Sequence, residues 1–207
     1  MKREETRERI LDAAVKVFAA RGFRDATIRQ ICSAAGVNVS MVNYYFKTKE
    51  GLYAEVVRKQ FSFTTTDAMA QLAGGVTDAK SWKAAVRRFI GQFVKYMSVT
   101  EEPHVFTARI FRWEVTRPSS ICKELQMTYG RLVYEGLKKL VAMAIGDDPV
   151  KVKLWCAAIW SRVAMLALAD EMWLENFIPQ GMSRAEWVDA IAENECEIIF
   201  KSLKYNG

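Results

Sequence analysis

Proline and glycine are scarce in this chain, with four and eleven residues among 207. These numbers are too small for many turns, so we expect a mostly helical protein. Long apolar runs are also missing. The most apolar stretch, 155–169, is shorter than the roughly 20 residues of a membrane-spanning helix, and it contains Ser161 and Arg162. The sequence therefore predicts an all-α protein without a membrane span.

Cysteine and histidine indicate neither a disulfide framework nor a metal site. The four cysteines lie far apart, without a Cys-x-x-Cys pair. The single histidine, His104, cannot form a metal site alone, and no Ser-His-Asp, Cys-His or glycine-rich phosphate-binding pattern is present. The charged segment 1–9 lacks the apolar core of a signal peptide. We therefore expect a cytoplasmic protein that requires no cofactor and is not an enzyme.

The stretch 27–53 has the pattern of two short helices joined by a tight turn. Thr27 and Gln30 have the spacing of a capping box, which predicts a helix over 27–34. Gly36 can adopt the positive φ that the following turn requires. Two helices across a glycine-containing turn form a helix-turn-helix, whose second helix enters the major groove of DNA.

The second helix is predicted over 39–46, with Asn38 as its N-cap. Four of its residues are predicted to contact bases: Val39, Ser40, Asn43 and Tyr44. Asn43 can form a bidentate pair with adenine, Ser40 can bond a base or a phosphate, and Val39 can contact a thymine methyl group. Phe46 is predicted to be core, because its position directs it inward.

Five residues near helix termini are predicted to contact phosphates. They are Thr27, Tyr45, Lys47, Thr48 and Lys49. Thr48 is the expected N-cap of the next helix, whose free amides and positive dipole end also favour a phosphate. Tyr44 and Tyr45 have two interpretations, since in a run of three aromatic residues at least one usually packs in the core.

Positive charge is concentrated towards the N-terminus. Through Gln60 there are twelve Lys and Arg against seven Asp and Glu, a balance of +5, which leaves +1 of the total +6 for the rest. This asymmetry indicates a polyanion partner for the N-terminal module. Lys2, Arg3 and Arg7 form a basic arm that either contacts phosphates or the adjacent minor groove, or is only a solubilising terminus.

Four segments resemble the DNA-binding domain of the TetR/AcrR family of bacterial transcriptional regulators. They are ILDAAVKVFAARGF at 10–23, TIRQICSAAGV at 27–37, YYF at 44–46 and KTKEGLY at 47–53. The resemblance covers about a quarter of the chain, and it implies a homodimeric, ligand-responsive repressor. RWEVTRPS at 112–119 weakly resembles the ligand domain of the subgroup that includes the cefoperazone and chloramphenicol sensitivity regulator, which identifies no ligand.

The rest of the chain is predicted to be a second domain. A first helix over 5–21 is scaffold, the boundary lies near Phe61, and a junction over 62–81 holds a short helix at 67–72. Residues 1–61 are then the helix-turn-helix domain and 62–207 a helical effector-binding and dimerisation domain, with nine or ten helices in total. The resemblance implies that the last two helices form a two-fold dimer interface; the alternative is that they complete a monomeric core.

Aromatic and flexible side chains in the middle helices are the candidate effector pocket. They are Phe89, Phe93, Tyr96, Met97, Phe106, Arg109, Trp113, Tyr129 and Arg162, with Ile110 and Val133 beside them. About half of these are expected to be plain core. Arg109 and Arg162 each require a carboxylate or an anionic ligand, because an unpaired charge in an apolar run is costly. Glu114, Asp170 and Glu171 are the possible internal partners.

The sequence thus predicts a DNA-binding transcriptional regulator, most simply a repressor that a small molecule releases from double-stranded DNA. Two alternatives stay open: a helical small-molecule-binding protein whose basic module is vestigial, and a nonspecific architectural DNA binder. Specificity distinguishes them, since only the regulator should lose affinity for scrambled DNA by orders of magnitude.

Overall fold

The computed structural model describes residues 2–65, 75–98, 104–121, 123, 127, 130–168 and 175–205. Over these residues the chain forms nine helices and no strand, which confirms the all-α prediction. The helices are α1 (Lys2–Asp25), α2 (Ile28–Ala35), α3 (Val39–Phe46), α4 (Lys49–Thr65), α5 (Ala79–Met97), α6 (His104–Thr116), α7 (Arg131–Ile145), α8 (Pro149–Leu168) and α9 (Arg184–Ser202). None of these helices is both long and apolar enough to cross a membrane.

The first helix is longer than the sequence suggests. It was expected to end at residue 21, but it continues to Asp25 across a kink at Gly22, which has φ 72° and ψ 171°. A Cβ atom at Gly22 would lie 2.9 Å from the Trp113 ring. Position 22 therefore requires glycine for two reasons. Glycine tolerates the positive φ, and the indole packs directly on the backbone.

Capping side chains set other helix boundaries. α5 begins at Ala79, inside the stretch 62–81 that the sequence assigns to the junction, because Asp78 is its N-cap and accepts a hydrogen bond from the Ser81 amide. This hydrogen bond lowers the pKa of the Asp78 carboxyl. Ser183 and Glu186 form a capping box at the start of α9. The short helix predicted at 67–72 lies outside the described residues.

Buried apolar side chains form two clusters. The N-terminal cluster is built from α1 to α4, with Phe18 and Tyr53 among its fully buried members. The C-terminal cluster is built mainly from α5, α7, α8 and α9. α6 joins both, because Ile110 is buried in the first cluster and Ala108 in the second. Phe61 is buried in the N-terminal cluster, and the domain boundary near it stays a prediction.

Polar contacts fasten α6 to the N-terminal helices. The Glu114 carboxylate is buried and accepts hydrogen bonds from the Tyr53 hydroxyl at 2.6 Å and from the Ser119 amide and hydroxyl at 3.1 and 3.0 Å. These three donors offset the cost of burying a carboxylate. The Trp113 indole donates to the carbonyl of Ala19 at 3.1 Å. α6 is therefore bound to α1 and α4 by directional bonds as well as by apolar packing.

Two further contacts lie at the ends of this interface. At one end, Arg117 forms an ion pair with Asp25 at 2.6 Å, and this hydrogen bond lowers the pKa of the Asp25 carboxyl. At the other end, the Thr107 hydroxyl lies 3.2 Å from the side-chain oxygen of Gln60, and both residues are buried. The interface thus extends along most of α6.

Candidate nucleic-acid interface

The turn between α2 and α3 has the predicted geometry. The Thr27 hydroxyl accepts a hydrogen bond from the Gln30 amide while the Gln30 side chain accepts one from the Thr27 amide, which confirms the capping box. Gly36 has φ 63° and ψ 41°, in the left-handed region. The Arg9 guanidinium of α1 donates to the Ala35 carbonyl at 2.7 Å. The orphan carbonyl at the end of α2 is thereby satisfied, and α1 holds the turn in place.

The third helix has one buried and one exposed face. Asn38 is its N-cap, as predicted, and accepts hydrogen bonds from the Met41 amide and the Ser40 hydroxyl. Val42 and Phe46 are buried in the N-terminal cluster. The four residues predicted to contact bases are all exposed: Val39, Ser40, Asn43 and Tyr44. Their spacing places them on a common outward face of α3, although their contact with DNA stays a prediction.

The five predicted phosphate contacts differ in how they are held. Thr27, Lys47 and Thr48 are exposed, and the Thr48 hydroxyl accepts a hydrogen bond from the Gly51 amide at 3.0 Å, as an N-cap does. Tyr45 is half-buried and packs against the N-terminal cluster. The Lys49 ammonium points back onto α1, where it donates to the Arg24 carbonyl at 3.3 Å and lies 4.6 Å from the centre of the Phe23 ring. The exposed members are the better candidates.

The connection from α3 to α4 is strained at Lys47. This residue has φ 67° and ψ −57°, and it is the one non-glycine residue with positive φ in the described part of the chain. The Thr48 amide donates to the Phe46 carbonyl at 2.8 Å, so residues 46–48 form a γ-turn of the rare, strained type. Strain of this kind persists where surrounding packing imposes it, often at functional sites.

Gly51 fixes the approach of these two helices, and sequence reasoning missed it. A Cβ atom at Gly51 would lie 2.3 Å from the Phe46 carbonyl oxygen, which is far inside van der Waals contact. The first turn of α4 therefore packs directly on the last turn of α3. The available signal was a glycine in the first turn of a helix, where an alanine is intrinsically more favourable.

Ion pairs between α1 and α4 neutralise part of the positive charge. Arg7 pairs with Glu55 at 3.1 Å, and Lys59 pairs with Glu8 at 2.8 Å and Asp12 at 2.9 Å. These two cations therefore hold α1 and α4 together and are not part of a free basic surface. The net balance of the first sixty residues already subtracts these carboxylates, but fewer of the twelve Lys and Arg are open to a polyanion than their number suggests.

The predicted effector residues lie in different parts of the fold. Phe89, Phe93 and Met97 are buried in the C-terminal cluster. Tyr96 is half-buried, and its burial raises the pKa of its phenol. Trp113 instead packs on α1. The remaining positions are as follows: Phe106 is half-buried against the N-terminal cluster, Arg109 is half-buried on α6, and Tyr129 lies outside the described residues.

A small cavity lies in the C-terminal cluster beside Phe89. Its volume is about 10 Å³, which is room for roughly one water molecule. All of its walls are apolar side chains from α5, α7, α8 and α9, including Trp82, Leu140 and Ile159, together with Leu203 directly after α9. The described residues therefore leave no preformed space for a drug-sized ligand at this point.

Arg162 has an internal partner that differs from the three carboxylates considered in the sequence. Its Nε atom donates to both Glu195 oxygens, at 3.1 and 2.8 Å, and the Glu195 side chain is only 8% exposed. Glu114 is instead occupied by Tyr53 and Ser119. Asp170 and Glu171 lie outside the described residues. The pairing of Arg162 was missed because α9 comes against α8 only in the folded chain.

Comparison with known proteins agrees with this arrangement. The sequence profile described as "Bacterial regulatory proteins, tetR family" matches residues 10–56, which include α2 and α3. The chain is 27% identical over 124 residues to the probable HTH-type transcriptional regulator YttP of Bacillus subtilis, covering 60% of this chain and 57% of that protein. It is 41% identical over 70 residues to the HTH-type transcriptional repressor NicS of Pseudomonas putida, covering 33% of each chain. The matched parts are thus less than two thirds of either relative.

The whole fold also resembles solved structures. The regulator FadR of Bacillus subtilis, crystallised in complex with stearoyl-CoA, superposes with a TM-score of 0.65. The superposition covers 93% of this chain and 96% of FadR, at 17% sequence identity. This likeness concerns the fold, and it extends through the helices that follow the helix-turn-helix.

Replacement of Gly51 by Ala tests the packing of α4 on α3. The added methyl group must push the Phe46 carbonyl away, so we expect a loss of roughly 1–3 kcal/mol in unfolding free energy and weaker DNA binding. Gly91→Ala in α5 is the matched control, because nothing lies within 4 Å of its Cβ position. It should stabilise by about 0.4–1 kcal/mol. Urea unfolding and duplex-binding anisotropy measure both effects, and equal results for the two variants would contradict the packing argument.

Proposed function

Because the chain belongs to the TetR family of bacterial regulatory proteins, we propose that it is a homodimeric repressor that leaves its operator when a small molecule binds. The observation that carries this proposal is the exposed face of α3, held by Asn38, Arg9 and the buried side chains beneath it. The proposal places the protein in the bacterial cytoplasm, where its DNA target is, and assigns it no catalytic step.

The reading of DNA is proposed to follow from the shape of α3. A helix with its side chains is about 10–12 Å wide and fits a major groove about 12 Å wide. The exposed Asn43 then faces base edges, where its amide can bond adenine in two places. In a two-fold dimer the two α3 helices bind half-sites separated by one DNA turn, about 34 Å, or by a multiple of it.

Asn43→Ala and Lys47→Ala should have different effects on DNA binding. Loss of the Asn43 amide should cost about 1–3 kcal/mol on the operator and relax the preference at one base pair. Loss of the Lys47 charge should weaken binding to all sequences alike and flatten its salt dependence. Both are measured by anisotropy with operator and scrambled duplexes. Base reading by Asn43 is refuted if both variants weaken every duplex to the same degree.

Dimerisation is proposed to use the outward face of α8. Val150, Leu154 and Met165 are 64%, 65% and 52% exposed, and Ala157 and Ser161 continue the same line of positions. This line is an apolar and small-residue stripe at helical spacing. A second copy related by a two-fold axis covers such a stripe with the same stripe. The half-buried Trp187 and Ile198 of α9 would extend the contact.

Leu154→Glu should disrupt this dimer. Each interface would then bury two new carboxylates without partners, so the dissociation constant should rise by roughly a hundredfold or more. Val115→Glu is the control, because Val115 is also an exposed apolar residue but lies on α6. Light scattering at micromolar concentration measures the mass of both variants and of the unaltered chain. A monomeric unaltered chain, or a dimeric Leu154→Glu variant, contradicts the assignment.

The effector is proposed to act through α6. The cavity beside Phe89 is too small for an organic ligand, so a ligand bound there has to separate the helices of the C-terminal cluster. α6 belongs to both clusters and carries Glu114, which is bonded to Tyr53 of α4. A displacement of α6 therefore also moves α4, whose first turn packs on α3. Its effect on DNA binding is limited by the ligand's differential affinity for the two states.

A ligand that binds the C-terminal cluster should release DNA. Binding is followed by tryptophan fluorescence, because Trp82 lines the cavity, and release is followed by mobility shift of an operator duplex. The half-maximal concentrations of the two signals should agree. A compound that saturates the fluorescence change and leaves the shifted band intact is evidence against this coupling.

A further inference from the structure

Arg3, in the first turn of α1, lies beside the recognition helix. Its guanidinium carbon is 5.0 Å from the centre of the Tyr44 ring. Lys47, at the end of α3, lies 5.9 Å from the same ring and donates to the Tyr44 carbonyl at 3.2 Å. Tyr44 is therefore an exposed ring with two cations next to it, one from α1 and one from α3.

Arg7, one turn further along α1, already has carboxylate partners. Arg7 is bonded to Glu55 and Glu8, and its guanidinium also lies 5.4 Å from the Phe46 ring. Arg3 is different, since its ring contact with Tyr44 is its one interaction in the described part of the chain. Arg3 and Arg7 are four residues apart on the same face of α1, so the same face carries one paired and one unpaired guanidinium.

The contact with Tyr44 leaves Arg3 able to bind an anion. Its guanidinium carbon lies over the ring, and this contact pairs none of its five N–H donors with an oxygen acceptor. The neighbouring acidic residues, Glu4 and Glu5, are rotated by about 100° and 200° around α1 and lie away from this face. Arg3 is exposed, so its donors reach solvent or a ligand.

The dimensions of the groove identify that ligand. A helix in the major groove nearly fills it, since both are about 12 Å wide. A side chain from another helix that flanks α3 therefore meets the wall of the groove, which is the phosphate backbone, and not the base edges. Arg3 flanks α3 at Tyr44, and its planar donors match a phosphate in a bidentate manner.

Resting on the proposed function, we propose that Arg3 binds a DNA phosphate beside Tyr44. The first turn of α1 then belongs to the DNA-binding surface, and each protomer contacts one phosphate more than the helix-turn-helix alone provides. Tyr44 has a second role as the platform that orients the guanidinium before DNA arrives. This pre-orientation reduces the entropy lost when the contact forms.

The test is the salt dependence of DNA binding by the full chain. A fluorescein-labelled duplex of arbitrary sequence is sufficient as the probe, because a phosphate contact carries no sequence information. Anisotropy gives the association constant for the unaltered chain, Arg3→Ala, Arg3→Lys and Tyr44→Phe between about 50 and 200 mM salt. Lys16→Ala is the matched control, since Lys16 is an exposed cation further along the same helix.

Arg3→Ala should weaken binding about tenfold for each engaged protomer, the equivalent of one charge-assisted bond. The slope of the logarithm of the association constant against that of salt should fall in magnitude by about 0.9 per protomer. Arg3→Lys should keep the slope and lose part of the affinity. Tyr44→Phe should also keep the slope, because it keeps the ring.

Two results would overturn the assignment of Arg3. One is an Arg3→Ala variant with the affinity and slope of Lys16→Ala. The other is an affinity loss without a change in slope, because Arg3 would then only support Tyr44. A failure of the proposed function is distinguishable, since the unaltered chain would then bind no duplex at low salt, and the Arg3 assignment would fall with it.

Discussion

An eight-residue helix is not stable by itself in water, so α3 depends on what lies beneath it. Val42 and Phe46 anchor it in the N-terminal cluster, Asn38 caps its start, and the backbone of Gly51 closes against its last carbonyl. The recognition face is therefore a product of packing on its hidden side. The exposed residues of α3 do not have to stabilise the helix, because other residues do so. Their side chains can therefore be suited to contacts with DNA.

Local signals in the sequence were sufficient for the helix-turn-helix. Thr27 with Gln30, the left-handed Gly36 and the Asn38 cap each involve residues within four positions of one another, and the structure confirms all three. Such short-range patterns depend on backbone geometry alone. The family resemblance then added what local rules do not contain, namely the purpose of the arrangement.

Contacts between distant parts of the chain were not predictable in this way. Nothing near Arg162 in sequence points to Glu195, and nothing near Glu114 points to Tyr53, because the pairings arise only when helices pack. Lys49 shows the same limit on a smaller scale, since a lysine at a helix start suggests phosphate binding while the fold turns its ammonium onto α1. Counting charges likewise does not reveal which cations already have carboxylate partners.

The hydrogen bonds between α4 and α6 occur in register. Tyr53 is bonded to Glu114 and Gln60 to Thr107, so the partners are seven residues apart on each helix and run in opposite directions. Seven residues are about two turns, or roughly 10 Å. Two cross-links at that separation prevent one helix from sliding along the other by a single residue, because both bonds would break together. A displacement of α6 along its axis is therefore transmitted to α4.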